Sequence, residues 1–163
     1  MKPLIVILFA MIGMCASAQK KVAGCYLRMI EPMTSDTLAV DNGVIRVNFF
    51  FNGDSYFAGM NINNLTDDVI AIDWDKFIIV QENISYNIEF DDTVLACADN
   101  PKGKSHIAPH SRIRKSIAPK GFAKYATKLF SKRDVPAQIG FYIPVVRNGE
   151  TTYFPCTLEA YVQ

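Results

Sequence analysis

The sequence predicts an all-β protein folded as an antiparallel sandwich or barrel. Three observations carry this prediction: apolar residues recur at every second position, Asn-Gly pairs separate alternating segments, and a single segment shows helical spacing. Alternation of apolar and polar residues indicates a strand with one buried face. Short strands separated by turn residues at this spacing are typical of sandwiches and barrels.

The N-terminus is predicted to be an export signal over residues 1–18. It has a basic start, an apolar run over 4–14 and a small-x-small cleavage site that ends at Ala18. The apolar run is too short to span a bilayer, and no later stretch approaches the roughly 20 residues that a spanning helix needs. We therefore expect no transmembrane segment after signal removal. Residues 19–163 suffice for a single β-sandwich domain that needs no metal or disulfide framework.

Six alternating segments are predicted to be strands. In the first, Val47 and Phe49 alternate with Arg46 and Asn48, which places the apolar side chains on one face. The same period of two recurs in the other five. The six segments cover residues 44–51, 56–63, 70–74, 85–90, 139–145 and 154–160.

Asn-Gly pairs mark three turns, because both residue types tolerate a positive φ in a tight hairpin. They lie at 42–43, 52–53 and 148–149, and the last pair joins the final two segments into a closing hairpin. The polar residues 64–68 are expected to form another turn. Trp74 is expected to be a core anchor whose indole N–H finds a partner.

Residues 119–130 are the exception to the alternating pattern. Their apolar side chains fall at helical spacing, and Pro119 stands where the start of a helix tolerates proline. The sequence therefore predicts one short helix near 119–130. Because Gly121 weakens a helix, a loop that crosses from one sheet to the other is the alternative.

A net charge of +1 conceals a strong separation of charge along the chain. Residues 31–99 hold 13 acidic and 2 basic side chains, whereas residues 101–133 hold 10 basic and no acidic ones. The basic segment could bind an anionic glycan, a lipid phosphate or an acidic protein. We expect instead that strands of the acidic part pack beside the basic segment and neutralise it, and anion binding is the alternative. The candidate anion-binding residues, whose four lysines form one stripe on a helix, are Lys120, Lys124, Lys128, Lys132 and Arg133.

Three cysteines remain after signal removal: Cys25, Cys97 and Cys156. In an oxidising compartment we expect one disulfide and one free thiol, with all three pairings open. Cys156 also reads as a buried small hydrophobic residue, because it falls on the apolar face of its strand. Cys25 follows a tripeptide suited to lipid attachment, so lipidation there is the alternative to cleavage after Ala18.

Several polar groups could suggest an enzyme, but each pattern is weak. His106 and His110 have the spacing of metal ligands on a helix, yet Pro109 between them argues against a helix. Asp73 and Asp75 would share one strand face, as in a small glycosidase-like or calcium site. The sequence has no nucleophile elbow, glycine-rich phosphate loop or Cys-x-x-Cys pair. We therefore predict no catalytic residue, cofactor or metal, and a small hydrolase using these four residues is the alternative.

Two neighbouring segments resemble a known family. The run Gly-Met-Asn-Ile-Asn-Asn-Leu-Thr at 59–66, followed by Val-Ile-Ala-Ile-Asp-Trp-Asp at 69–75, resembles uncharacterised secreted β-sandwich proteins of anaerobic gram-negative bacteria. Ser-His-Ile-Ala-Pro at 105–109 and Ile-Ala-Pro at 117–119 fall where that family has a proline-bearing crossing segment, and the hairpin 139–160 also fits. The resemblance implies an antiparallel immunoglobulin-like β-sandwich. It transfers no functional residue, because the family carries no known activity.

Together these patterns favour an exported, non-catalytic β-sandwich protein in the periplasm or at the cell surface of a gram-negative bacterium. We expect a binding or structural module whose partner is an envelope protein or a glycan. Nucleic acid is not an expected partner, because the basic segment lacks the aromatic interleaving of nucleic-acid-binding modules. The alternatives are a small secreted hydrolase or carbohydrate-active enzyme, and a cationic surface binder of an anionic glycan or lipid.

Overall fold

The computed structural model describes residues 21–163, and the signal predicted over 1–18 lies outside the described residues. Twelve strands and two short 3-10 turns, Trp74–Lys76 and Leu95–Cys97, make up its regular structure. The strands are β1 (Tyr26–Glu31), β2 (Ala39–Asp41), β3 (Ile45–Phe50), β4 (Ala58–Asn64), β5 (Ile70–Asp73), β6 (Ile78–Gln81), β7 (Ile84–Tyr86), β8 (Ile88–Phe90), β9 (Lys104–Ile107), β10 (Arg112–Pro119), β11 (Ala137–Arg147) and β12 (Glu150–Tyr161).

The strands form two antiparallel sheets, which confirms the predicted all-β fold. The larger sheet has seven strands in the order β1-β12-β11-β5-β9, and β6 and β7 extend it beside β11. β11 is long enough for its two halves to pair with different strands: Val145 and Val146 with β5, and residues 139–142 with β6. The smaller sheet has five strands in the order β2-β3-β4-β10-β8.

The two sheets pack face to face around one apolar core. The rings of Phe49 on β3 and Phe141 on β11 lie 4.8 Å apart between the sheets. Trp74 lies between β5 and β6, contacts Phe90 of β8 and is only 2% exposed. Its indole N–H donates to Ser105 Oγ at 2.8 Å, as predicted for a core anchor. Burial of each such phenylalanine contributes about 1.5–3 kcal/mol, so the core supplies the main stabilisation.

The predicted turn at 148–149 is confirmed. Its two residues have φ values of 52° and 81°, so β11 and β12 join through a two-residue turn in the left-handed region. Residues 82–83, with φ values of 51° and 63°, join β6 and β7 in the same way without a glycine. The Asn-Gly pair at 42–43 lies between β2 and β3, whereas the pair at 52–53 lies in the longer loop 51–57.

Two parts of the strand prediction are corrected. The segment 85–90 is two strands in different sheets, because the chain changes sheet at Asn87. β10 occupies part of the region that the resemblance assigns to a crossing segment, and it lies in the interior of the smaller sheet between β4 and β8. Ile117 is buried on its inner side, whereas Arg112 and Arg114 are exposed. β1, β2, β6 and β9 are also absent from the sequence prediction.

Residues 120–134 form a loop, so the short helix predicted near 119–130 is wrong. Gly121 has φ 93° and Ala126 has φ 48°, and both values are incompatible with a right-handed helix. Leu129 and Phe130 are fully buried, and the Leu129 N–H donates to the Ser55 carbonyl at 2.7 Å. The helical spacing therefore reflects two residues that anchor a loop in the core. The alternative of a loop is the correct one.

The Asn64 side chain connects two of the places where the chain crosses between the sheets, from β4 to β5 and from β9 to β10. Asn64 ends β4 and is 1% exposed. Its Nδ2 donates to the carbonyls of Asp68 (2.7 Å), Ile107 (3.1 Å) and Ala108 (3.2 Å), and its Oδ1 accepts from the N–H (2.9 Å) and hydroxyl (2.8 Å) of Thr66. The turn predicted at 64–68 is thus confirmed, and one amide bonds both crossings.

We predict that Asn64→Ala lowers the free energy of unfolding by about 2–4 kcal/mol, because it removes the donors to three carbonyls. Urea unfolding followed by circular dichroism measures the change. Asn63→Ala is the matched control, since within residues 21–163 the Asn63 side chain donates only one bond, of 3.3 Å, to the Arg46 carbonyl. Equal unfolding free energies for the two variants would contradict the role assigned to Asn64.

Candidate functional site

The five predicted anion-binding residues lie along the loop 120–134 and not on one helix face. Lys120 forms an ion pair with Asp99. Lys124 Nζ lies 5.2 Å from the ring of Tyr125, and Lys128 Nζ lies 5.4 Å from the ring of Tyr56. Tyr125 is 73% exposed, so this part of the loop presents an aromatic ring beside one cation, Lys124. The remaining two predicted residues, Lys132 and Arg133, are exposed.

Lys120 and Lys124 also border an open cavity of about 750 Å³ next to β8. Glu89 and Asp99 line the same cavity. Glu89 is 3% exposed, and its Oε1 accepts the N–H of Ala123 at 2.7 Å, which holds the loop against the sheet. Because two carboxylates and two ammonium groups line this cavity, their charges balance and do not favour an anion.

Acidic residues neutralise the basic segment 101–133 only in part. Lys104 pairs with Asp73 at 3.8 Å and Lys120 pairs with Asp99, and none of the other lysines and arginines in the segment has a carboxylate at ion-pair distance within residues 21–163. Several other carboxylates of the acidic segment pair elsewhere, as Asp68 does with Arg147 at 2.6 Å. The surface formed by residues 112–133 therefore keeps a positive charge.

Two arginines of this segment lie on the outer face of the smaller sheet. Strand register places them in two rows: Arg112 next to Asn63 and then Arg46, and Arg114 next to Asn61 and then Asn48. The rows cross β10, β4 and β3, and their side chains point away from the core. We call this surface the Arg-Asn face, defined by Arg46, Asn48, Asn61, Asn63, Arg112 and Arg114.

A phenylalanine positions one of these arginines. Phe50 of β3 pairs with Gly59 of β4, and a Cβ at position 59 would lie 2.1 Å from the Phe50 ring. The ring therefore lies flat across the glycine, toward β10. The guanidinium carbon of Arg114 is 4.3 Å from the ring centroid, within the range of a cation–π contact. Phe50 is thus enclosed between Gly59 and Arg114.

The Arg-Asn face has free donors and acceptors on one side and a paired arginine on the other. Arg46 Nε and Nη2 donate to Asp41 Oδ2 at 3.2 and 3.1 Å, so its charge is balanced. The side-chain amides of Asn48 and Asn61 make no hydrogen bond to any residue that the structure describes. An amide both donates and accepts, and a guanidinium binds carboxylates or sulfates through two parallel N–H groups. The face can therefore bind an anion flanked by hydroxyl groups.

The sequence interpretation missed the Arg-Asn face, although it identified the charge of the segment. The alternation of Arg112 and Arg114 with Ile113 is the signal that would have revealed a half-buried strand. The neighbours Asn48 and Asn61 belong to strands far away in the sequence, so only the sheet register brings them together.

The four residues of the alternative hydrolase interpretation, Asp73, Asp75, His106 and His110, do not form one site. Asp73 is 5% exposed and lies 3.6 Å from Lys76 and 3.8 Å from Lys104. Asp75 belongs to a 3-10 turn, so the prediction that it shares a strand face with Asp73 is wrong. The backbone N–H groups of Lys102 and Gly103, at 2.7 and 2.8 Å, stabilise the Asp75 carboxylate and lower its pKa.

The two histidines are on different elements. His106 lies on β9 and is exposed, whereas His110 lies in the turn before β10 and has φ 53°. His110 Nε2 lies 2.7 Å from Asp67 Oδ1. Within residues 21–163, no group of three or more histidine, cysteine, aspartate and glutamate side chains is arranged to hold a metal ion.

The three cysteines that the structure describes are all free, so the predicted disulfide is wrong. Cys25 and Cys156 are buried at 0% and 1% exposure, whereas Cys97 is exposed. Burial raises the pKa of the Cys156 thiol to about 12, which confirms its interpretation as a small hydrophobic residue. Burial also raises the pKa of Cys25, although nearby Lys132 opposes that shift.

Comparison with protein-family models, with curated proteins and with solved structures finds no match for this chain. Among residues 21–163 there is also no helix of the length and apolar character needed to cross a membrane.

We predict that Cys97 is the one cysteine of the folded chain from Gln19 that reacts quickly with a maleimide at pH 8. Only on the order of one Cys156 thiol in ten thousand is ionised at that pH, because its pKa lies far above it. Intact-mass measurement should show one rapid addition, and three after unfolding in urea. Cys97→Ser should abolish the rapid addition, and a second rapid addition in the unsubstituted chain would contradict the burial of Cys25 and Cys156.

Proposed function

We propose that this protein is an exported, non-catalytic β-sandwich of the bacterial envelope that binds an anionic partner in the periplasm or at the cell surface. One observation carries the proposal: most basic side chains of residues 112–133 have no carboxylate partner among the residues that the structure describes. They lie on a rigid sheet and on a loop anchored to it. Such a surface attracts anions and raises the rate of their association.

The interactions of the candidate catalytic groups support binding over catalysis. The Asp73 carboxylate is enclosed by two lysines, and the Asp75 carboxylate holds a loop through two backbone bonds. His110 pairs with Asp67 at the surface. A hydrolase needs an acid and a base that converge on one substrate atom. These groups are instead occupied with separate partners.

The proposed export depends on the predicted signal and on the position of Cys25. Lipid attachment at Cys25 would require cleavage before it, which removes Val22. Val22 is 5% exposed, and its backbone exchanges two hydrogen bonds of 2.9 Å with Cys25. These contacts support cleavage after Ala18. The immunoglobulin-like topology and the relation to secreted proteins of anaerobic gram-negative bacteria stay predictions.

We predict that the chain from Gln19 binds a heparin column and elutes only when salt screens the contact. The variant R112Q/R114Q/K124Q/K128Q should elute at clearly lower salt, because it loses four charges from the basic segment. The control K21Q/R28Q/K76Q/R147Q loses the same number of charges outside the basic segment, three of them from ion pairs, and should elute higher than the first variant. Weak retention of the unsubstituted chain, or equal elution of the two variants, would remove the proposal.

We predict that the full chain, expressed in a gram-negative host, is exported and begins at Gln19. Intact-mass measurement of the periplasmic fraction checks the start. An I7K/F9K variant interrupts the apolar run, so it should stay unprocessed in the cytoplasm. A mature form that begins at an acylated Cys25 would contradict this prediction.

A further inference from the structure

We propose that the Arg-Asn face binds an acidic polysaccharide, and that Phe50 and Gly59 hold Arg114 in the orientation that receives an anionic group. This inference rests on the proposed function, since it names the surface and the ligand class of the same binding activity. It does not involve the lysines of the loop 120–134.

The first step is the fixed position of Arg114. The Phe50 ring can cross to β10 only because residue 59 has no side chain. The Arg114 guanidinium then lies against the exposed side of that ring, 4.3 Å from its centroid. A guanidinium that rests against a ring can still donate its N–H groups to a carboxylate or sulfate. Because the group is ordered in advance, binding loses less side-chain entropy.

The second step is the arrangement of groups around Arg114. Arg112 lies two residues away on the same face of β10, a separation of roughly 7 Å along a strand. Asn61 is next to Arg114, and Asn48 follows on β3. The face thus has two cations beside two amides, and neither amide has a hydrogen-bond partner among the described residues. These groups suit a polysaccharide that carries both acidic groups and hydroxyls.

Acidic side chains border the Arg-Asn face on both sides. Asp41 pairs with Arg46 at the β2 side of the face. On the other side Asp91 follows β8, and its N–H donates to the Ser116 carbonyl at 3.2 Å, which places an exposed carboxylate near the end of β10. Arg112 and Arg114 have no carboxylate at ion-pair distance among the described residues, so we expect the anionic groups of the ligand there, with hydroxyls over Asn61 and Asn48.

A glycan fits this face better than a membrane or a nucleic acid. Membrane-surface binding needs exposed apolar side chains that enter the lipid, and single-stranded nucleic acid needs open aromatic faces for its bases. On the Arg-Asn face the nearest aromatic ring, that of Phe50, is covered by Gly59 on one side and by Arg114 on the other. What remains exposed is a flat layer of amides and guanidinium groups.

The experiment measures binding of polygalacturonate to the chain from Gln19 by calorimetry at fixed salt. R112Q/R114Q should weaken binding by at least about tenfold, because it removes two charge-assisted contacts. K124Q/K128Q makes the same change in net charge on the loop and should weaken binding by less than about threefold. Neutral dextran should not bind, and phosphatidylglycerol vesicles and a single-stranded oligonucleotide should bind more weakly than polygalacturonate.

Phe50→Leu tests the positioning of Arg114 without changing charge. We expect binding to weaken several-fold while the dependence on salt concentration stays the same, since the number of ionic contacts is unchanged. Phe50→Tyr keeps the ring and should restore the affinity. Circular dichroism and urea unfolding confirm that each variant is folded. Unchanged affinity in Phe50→Leu, or failure of Phe50→Tyr to restore it, would overturn the positioning role.

The remaining outcomes separate this inference from the proposed function. Weaker binding in K124Q/K128Q, with no change in R112Q/R114Q, overturns the Arg-Asn face as the site and leaves an anion-binding protein. No change in either variant overturns both. The vesicles or the oligonucleotide could bind the unsubstituted chain more tightly than polygalacturonate does. If R112Q/R114Q then abolishes that binding, the glycan is the wrong ligand class.

Discussion

The attachment of β4 and β10 to the larger sheet depends on one buried side-chain amide, that of Asn64. A two-sheet protein must carry its chain across the gap between the layers, and the backbone groups there lack the partners that a ladder of strands provides. Asn64 supplies partners at two crossings, from β4 to β5 and from β9 to β10, through three carbonyls and Thr66. It thereby links the larger sheet to β4 and β10, the two strands that carry most of the Arg-Asn face.

The features predicted correctly from the sequence are those set by neighbouring residues. The closing hairpin follows from alternation and from Asn148-Gly149, and the burial of Trp74 and Cys156 follows from their place in apolar strands. β10 was not predicted, because its polar first half hides a strand whose partners are distant in sequence. The helix over 119–130 was wrong because spacing alone does not reveal the left-handed backbone of Ala126.

The sequence likewise predicted only part of the candidate site, the part that depends on neighbouring residues. The positive charge of residues 112–133 is visible in composition, and the structure adds that acidic side chains balance little of it. The grouping of Arg112 and Arg114 with Asn61 and Asn48 depends on strand register across three strands. Position 59 shows most clearly what the sequence alone does not reveal. Its glycine looks ordinary in a strand, but the missing side chain leaves room for the Phe50 ring, which contacts the Arg114 guanidinium.

The free thiols have a consequence for what holds the fold together. Cys25 and Cys156 fill the interior as apolar groups, and no sulfur–sulfur bond links any of residues 21–163. The arrangement of these residues therefore rests on side-chain packing and hydrogen bonding, and a thiol reductant finds no covalent cross-link to cleave among them.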